Sequence, residues 1–569
     1  VINILGLNYY FHDSTACIVR DGQLVAAVED ERLSRDKHSR AFPALSAAKC
    51  LDLAGLETAD VDHIAVSIKP THNWFRRLVY AVGRPRHFGA IYRHEAVFAG
   101  NRQALFWQWY RRHWPARRKG PQVHFIPHHM THAPGSFYVS PFDEAALLGL
   151  DGSGEWATTF LGHGQGNSVK CLGESYFPHS LGSFYEAATQ FCGFRTNYDE
   201  GKTMGLAPMG DPEVFRRQVE EILTIDAEGR LRIDLTYFRF QNMDWRRCSQ
   251  KFFDTFGEPR KPGAPFEPHH QNLAAAFQRV LEDRVLQICE GLHRKTKTKN
   301  LVVSGGVALN SVMNGRLLRE SPFESLYVMP AAGDNGTAIG AAFYLWNGIL
   351  QHPRQFVHHD PYLGTEYTND QILSVLREAK ADFSQEADIC SSVADLLVAG
   401  KIVGWFQGKM EIGPRSLGGR SILANPAFPE MKDKINAEVK FREAYRPFAP
   451  SAPLEDSHLF FDNPCETPFM LKVCNVLPDK RDVIPAVTHV DGSARLQTVR
   501  ESLHPRYHRL IKTFGQRTGV PVVLNTSFNI QGEPLVESPR DAIRCYFSTG
   551  LDALAIGDFL LIKGRCPAS

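Results

Sequence analysis

The sequence predicts an α/β protein of two domains, the first of them internally duplicated. Three observations lead there. A strand-turn-strand unit opens the chain, and a similar unit returns at Ala145. Further on, Ser304-Gly-Gly306 and Gly333-Asp-Asn-Gly336 place glycines where a strand meets a helix. Residues 352–365, rich in His, Pro, Asp and Gly, then read as a linker to a tail that again alternates strands and helices.

In the first unit, Ile2–Leu7 is largely apolar, Thr15–Val19 follows, and Asp21-Gly22 supplies a hairpin turn before Leu24–Glu29. In the second, Ala145–Leu150 reads as a buried strand, Asp151–Glu155 as a polar turn and Ala157–Leu161 as the next strand. Gly162–Asn167 reads as a Gly-rich turn, with a third strand from Val169. Apolar residues at three-to-four spacing predict a helix over 272–295. The domain boundary falls near Pro361–Gly364, giving domains of 1–360 and 361–569. Buried strands in the second are expected at Ile402–Trp405 and Val522–Leu524.

Composition narrows the function. In 569 residues, 43% are hydrophobic and 22% charged, and the net charge of +2 argues against a dedicated nucleic-acid binder. No apolar run is long enough for a membrane span. The opening Val1-Ile-Asn-Ile-Leu reads as a strand without a basic flank, so a signal peptide is not expected. The eleven cysteines are scattered singly, which disfavours a disulfide framework or a thiolate zinc site and suits reduced, cytoplasmic thiols. Residues 75–119 depart from the mean, with eleven Lys/Arg against one acid, Glu95, and with Trp74, Trp107, Trp109 and Trp114 in or beside them. This reads either as a solvated helical insertion or as a docking surface for an anionic or aromatic acceptor or a membrane face.

Several constellations carry chemistry. His128 and His132 stand at i and i+4, so on a helix they share one face and chelate one metal. Asp151 and Asp334 sit at glycine turns where a carboxylate points into a cleft. Two histidines with carboxylates and no thiolate suit Fe(II), Mn or Zn. The turns at Gly305-Gly306 and Gly333 let backbone N–H groups approach a phosphate. His12, in His12-Asp13-Ser14, is a candidate general base, and Lys37 in the charge run after Glu31 a cation reaching back to the cleft. In the second domain Arg415, Arg420, Lys440, Arg442 and Arg446, with Arg495 as a further candidate, form a dense cationic set. Asn525-Thr-Ser527-Phe-Asn529 adds donors at a strand end. Together they suggest triphosphate or acyl-phosphate handling.

These pieces, with Phe11-His-Asp-Ser, Leu150-Asp-Gly-Ser-Gly-Glu155, Glu200-Gly-Lys-Thr-Met-Gly-Leu-Ala-Pro208, Gly413-Pro-Arg-Ser-Leu-Gly and Lys440-Phe-Arg-Glu, run in order through almost the whole chain. In that combination the sequence resembles the ATP-dependent O-carbamoyltransferases of natural-product tailoring, the family of the nodulation-factor, cephamycin and nebramycin enzymes. The resemblance implies an actin-like ATPase domain followed by a YrdC-like domain. The second would make carbamoyl-adenylate from carbamoyl phosphate and ATP with Mg2+, using Arg415, Lys440, Arg442, Arg446, Arg495, Ser527 and Asn529. The first would transfer the carbamoyl group to a small-molecule hydroxyl, with His12 and Lys37 catalytic and Fe(II) or another divalent metal on His128, His132, Asp151 and Asp334. Gly152, Lys202, Gly305, Gly306, Asn310 and Gly333 would hold the nucleotide, and an enclosed path would keep water from the intermediate. No nucleic acid or membrane span is expected, and a homodimer is left open. The alternatives are an actin-like sugar kinase or ATPase, for which the repeat alone suffices, and a tRNA-type threonylcarbamoyl transferase, which only the basic segment favours.

Overall fold

A computed structural model describes residues 1–9, 11–93, 98–115, 120–226, 229–462 and 465–564. Glu95, Arg117, Arg118 and Lys119 of the basic segment lie outside the described residues. By packing, the chain divides into two units: Val1–Asp30 with His38–His358, and Glu31–Lys37 with His359–Ser569.

The first unit holds two five-stranded sheets of one design. Strands β1 (Asn3–Asn8), β2 (Thr15–Arg20), β3 (Gln23–Glu29), β4 (His63–Val66) and β5 (Gln122–Phe125) lie in the order β3-β2-β1-β4-β5. Strands β6 (Glu144–Gly154), β7 (Ala157–Gln165) and β8 (Ser168–Tyr176) are followed by a separate hairpin of β9 (Leu223–Ile225) and β10 (Leu231–Ile233), then by β11 (Asn300–Ser304) and β12 (Ser325–Val328). The second sheet runs β8-β7-β6-β11-β12. In each sheet an antiparallel three-strand meander is extended through its first strand by two parallel strands. The repeat in sequence is therefore a repeat of topology. Asp21 and Gly22, with φ of 47° and 79°, make the first hairpin turn as their residue types require.

Two expected turns are shorter than read, their leading residues being strand, and Gly166 and Asn167 alone turn the chain between β7 and β8. β6 runs on through Asp151 to Gly154, with a register irregularity between Leu150 and Gly154. The turn is displaced to Glu155 and Trp156, whose φ values are 49° and 80°. That conformation disfavours non-glycine residues and is held here by side-chain contacts rather than by glycine. Gly162 and Gly164 lie within β7, where Cβ atoms would sit 2.6 Å from the rings of Phe160 and Phe137. They are glycine for close approach, not for turning.

In the second unit eight strands form one mixed sheet. They are β13 (Ser384–Gln385), β14 (Val403–Phe406), β15 (Arg420–Ala424), β16 (Ala449–Pro453), β19 (Gln497–Val499), β20 (Val523–Ser527), β21 (Ala553–Ile556) and β22 (Phe559–Ile562), while β17 (Cys474–Asn475) pairs β18 (Ser493–Ala494) apart from it. The order is β13-β22-β21-β14-β15-β20-β16-β19. Alternation along the strands gives the sheet two buried faces. Val403, Trp405, Leu423 and Val523 pack with helices Ile389–Val398 and Pro505–Thr518. Phe406, Ile422, Leu524 and Ile556 pack with helices Asn369–Glu378 and Pro539–Phe547. Among the described residues ten cysteines are free and eight of these are buried. No helix of the described residues is long and apolar enough to cross a membrane.

A candidate metal centre and a separate arginine cluster

The first unit gathers four buried ligand-type side chains from three segments. His128 and His132 stand on helix His128–Tyr138, Asp151 on β6, and Asp334 on the turn before helix Thr337–Phe343. A glycine crossing brings the two helices together. A Cβ on Gly340 would lie 1.8 Å from the Thr131 carbonyl oxygen, and one on Gly135 would lie 2.4 Å from Gly340 Cα. Only glycine at both positions permits that approach, which sets Asp334 beside the histidines.

Ligand-type atoms of all four residues lie within 4.8 Å of one another. The two Nε2 atoms are 3.0 Å apart. Asp334 Oδ1 is 3.4 Å from His128 Nε2 and 3.3 Å from His132 Nε2. Asp151 Oδ2 is 3.5 Å and 4.0 Å from the same two atoms. Nitrogen and oxygen ligands at about 2.1 Å from one ion stand roughly 3.0–3.5 Å from their neighbours, so the set fits a divalent cation. The outer contacts fit as well. His128 Nδ1 lies 3.4 Å from the Ser67 carbonyl oxygen, an acceptor that suits the tautomer in which Nε2 faces the centre as a ligand. Gly306 N–H donates to Asp151 Oδ1 at 3.0 Å. Electrostatics reinforce the grouping. Burial opposes the charge on His128, but Asp334 and Asp151 push its pKa well above the ordinary value. Burial likewise opposes charge on Asp334, yet His12 and His128 hold it well below the carboxylate range.

His12 borders this centre, its Nε2 3.9 Å from Asp334 Oδ2. Asp13, at φ 53°, turns its carboxylate to His12 Nδ1 at 2.9 Å and His38 Nδ1 at 2.7 Å. Burial lowers the His12 pKa, but Asp334 and Asp13 outweigh it and raise it to about 10.

Sequence reasoning missed Glu155 and His38. Glu155 accepts the backbone N–H of Lys69, and that of His128 at 2.9 Å, so it caps the helix that carries both histidines. Burial raises its pKa to about 7. The signal was present, since an acid ends the Asp151–Glu155 run, but its partners lie far along the chain. His38, one residue after Lys37, is the group that reaches Asp13. Lys37 itself packs with the second unit and is exposed, and its charge lowers the pKa of Lys440 after burial and Arg442.

The residues expected to hold nucleotide in this unit take varied positions. Gly152 adjoins Asp151 on β6, and Gly182 packs against it. Gly305, at φ 92°, lies against the Leu150 backbone and leads into Gly306. Gly333 precedes Asp334. Asn310 caps helix Ser311–Glu320 and exchanges hydrogen bonds with Gln278 at 2.9 Å and 3.1 Å. Lys202 pairs Asp199 at 3.2 Å.

In the second unit the cations divide into two kinds. Lys440, 2% exposed, donates to Ser527 Oγ at 3.0 Å and to Asn529 Oδ1 and carbonyl oxygen at 2.9 Å and 3.0 Å. Its protons tie Ser527 and Asn529 to one another. Arg420 is fully buried and spent on the carbonyls of Gln407, Gly408, Gly419 and Thr365. Arg415, Arg442, Arg446 and Arg495 behave differently. Burial, then Arg446, lowers Arg415 to about 10 and Arg442 to about 9. Arg495 is depressed well below the ordinary value by burial and then by Arg415, Arg442 and Arg446. Nε of Arg415 and of Arg495 is buried without a hydrogen-bond partner. Buried guanidinium groups crowded onto one another make a receptor for an anion.

Comparison with known proteins matches two family models to the chain. The model of the carbamoyltransferase N-terminus matches residues 3–343, and that of the carbamoyltransferase C-terminus matches residues 394–563. Nodulation protein NolNO of Sinorhizobium fredii is 38% identical over 565 residues, covering 98% of this chain and 80% of the relative. The 3'-hydroxymethylcephem-O-carbamoyltransferase of Amycolatopsis lactamdurans is 36% identical over 367 residues, 63% of this chain and 64% of the relative. The enzyme of that name from Streptomyces clavuligerus is 28% identical over 562 residues, 96% of each chain. With both family models matched along its length, the chain belongs to the carbamoyltransferase family and is a transferase enzyme.

Proposed function

We propose that the protein is an ATP-dependent O-carbamoyltransferase that works in two steps, one in each unit. The observation that carries this reading is the pairing of a buried cluster of mutually repelling arginines in one unit with a His/Asp centre and a neighbouring His12 in the other. A one-step kinase needs no second anion site. Relatives named as O-carbamoyltransferases of a hydroxymethyl compound support a small-molecule hydroxyl as acceptor. The twin sheets support an actin-like first domain, and the mixed sheet of the second is read as YrdC-like.

In the second unit, Arg415, Arg442, Arg446 and Arg495 bind carbamoyl phosphate and the ATP phosphates with Mg2+, while Lys440 holds Ser527 and Asn529 in place. Water hydrolyses carbamoyl phosphate to carbamate and phosphate. A carbamate oxygen then attacks the α-phosphorus of ATP, and pyrophosphate leaves. In the first unit the acceptor hydroxyl attacks the carbamoyl carbon of the adenylate, its proton passes to His12, and AMP departs. Asp13 holds the His12 ring, and Gly152, Gly305, Gly306 and Gly333 let backbone approach the nucleotide. A divalent ion, Fe(II) in our assignment, on His128, His132, Asp151 and Asp334 supplies Lewis-acid polarisation when bound. Free cysteines fit a reducing, cytoplasmic setting.

The test separates the half-reactions. His12→Asn is expected to lose about 10²–10⁴-fold in carbamoyl transfer from supplied carbamoyl-adenylate while adenylate synthesis persists. Transfer within threefold of the parent removes His12 as the base. The repeat alone would also suit a sugar kinase. ADP and a phosphorylated sugar formed whether or not carbamoyl phosphate is present would establish that alternative.

A further inference from the structure

The basic segment carries an apolar face that is exposed among the described residues. Of the 19 large apolar side chains exposed among the described residues, nine lie between Trp74 and Trp107, and the others are dispersed along the chain. On helix Trp74–Val82, residues Trp74, Phe75, Leu78, Val79 and Val82 are between 46% and 64% exposed. At 100° per residue these five positions fall within one arc of about 140°, a continuous stripe. The adjoining short helix Phe88–Tyr92 adds Phe88 and Tyr92, 39% and 59% exposed.

The opposite side of the helix is pinned, so the stripe has no route inward. Tyr80 donates to the Gln241 carbonyl at 2.6 Å, and its ring meets Trp156 edge-on at 4.9 Å. Ala81 is buried with Ile91 and Trp156. Asn73 donates to the Glu155 carbonyl at 3.1 Å, which anchors the start of the helix to the turn that caps the histidine-bearing helix.

Charge identifies the occupant. Residues 74–93 contain five arginines, at 76, 77, 84, 86 and 93, and no acid. Arg76, Arg86 and Arg93 are exposed beside the stripe. A second copy of the same face would bring like charges together. A stripe of Trp, Phe, Leu and Val offers nothing to a ribose-phosphate backbone. Aromatic and aliphatic side chains rimmed by arginine are the pattern of a surface that lies in the headgroup layer of an anionic membrane.

We propose that residues 74–93 are a monotopic docking face for anionic phospholipid, inserting the Trp74–Val82 stripe among the headgroups while arginines meet the lipid phosphates. The proposal is independent of the transfer chemistry. The test is flotation of the full chain with phosphatidylcholine vesicles that contain or lack phosphatidylglycerol, at low and high salt. Binding is expected to the anionic vesicles only and to weaken with salt. Removing two charges with Arg86→Ser and Arg93→Ser is expected to lower the partition coefficient roughly 25-fold. Trp74→Ser with Leu78→Ser is expected to lower it at least about tenfold with an unchanged melting temperature. Trp245→Ser, 73% exposed outside the stripe, serves as the control and leaves binding unchanged. Equal binding to neutral vesicles, or unaltered binding by both double variants, overturns the proposal. So does an absence of binding to anionic vesicles, and a patch-dependent dimer or patch-dependent retention by an acidic protein or nucleic acid would then name the occupant instead.

Discussion

Gly340→Ala tests the mechanical basis of the candidate metal centre. The added methyl would stand 1.8 Å from the Thr131 carbonyl oxygen, 2.8 Å from Thr131 C and 3.3 Å from Thr131 Cα. All three are backbone atoms of the helix that carries His128 and His132, so no side chain can swing aside. A carbon–oxygen contact is comfortable from about 3.3 Å, so the helices must part by roughly 1.5 Å. Overpacking of this kind costs about 1–3 kcal/mol, which in a unit this large lowers Tm by a few degrees. The effect on the centre is larger than the effect on stability. His132 Nε2 and Asp334 Oδ1 are 3.3 Å apart across this crossing. A site of this type tolerates roughly 0.5 Å of displacement, and misplacement by about 1 Å costs on the order of 100-fold. Metal bound per chain, measured by mass spectrometry after dialysis, is expected to collapse under conditions where far-ultraviolet circular dichroism is unchanged. Gly135→Ala, whose Cβ would meet Gly340 Cα at 2.4 Å, is expected to do the same. Full metal content with parental Tm in either variant would refute the argument that this crossing sets the ligand geometry.

Three further outcomes are expected. His132→Ala removes one of four ligands and is expected to lower metal affinity more than about 100-fold while carbamoyl-adenylate formation continues; retained metal and transfer count against the assignment. Arg495→Ala removes a guanidinium that three other arginines repel, so the ligand-free protein is expected to melt no lower than the parent. Its carbamoyl-phosphate-dependent ATP–pyrophosphate exchange is nonetheless expected to fall roughly 10- to 150-fold, and parental exchange would dismiss the anion site. Glu200→Gln concerns pH. Burial and then Glu186 raise the Glu200 pKa from 4.5 to about 7, so the folded state binds the extra proton between those values. The stabilisation is present below the unfolded pKa and is lost as pH rises through 7. The variant is therefore expected to gain on the parent by about 2–3 kcal/mol between mildly acidic and mildly alkaline pH, read from melting curves, and a gap that narrows with rising pH contradicts the assignment.

Much of this was legible in the residues. Apolar runs between turn residues placed the strands, and three-to-four spacing placed the long helix, observed as Pro268–Thr296, because burial on one helical face imposes that spacing. The pair at His128 and His132 could be read because helical geometry alone puts i and i+4 on one face. Glycine was harder to interpret. Asp21-Gly22 turns the chain, but Gly162 and Gly164 lie inside a strand under aromatic rings, and nothing local distinguishes the two uses. The arginines were equally alike in sequence. Only the fold spends Arg420 on four backbone carbonyls and leaves Arg415 and Arg495 crowded by other arginines. Sequence by itself therefore determined which elements form and which residue types carry chemistry, because those follow from local geometry and side-chain character. Tertiary structure alone decided that Asp151 and Asp334 meet the histidines, that Glu155 caps their helix, and that the Trp74–Val82 stripe faces outward. Each depends on which distant backbones approach closely enough to share a hydrogen bond, an ion or a buried surface.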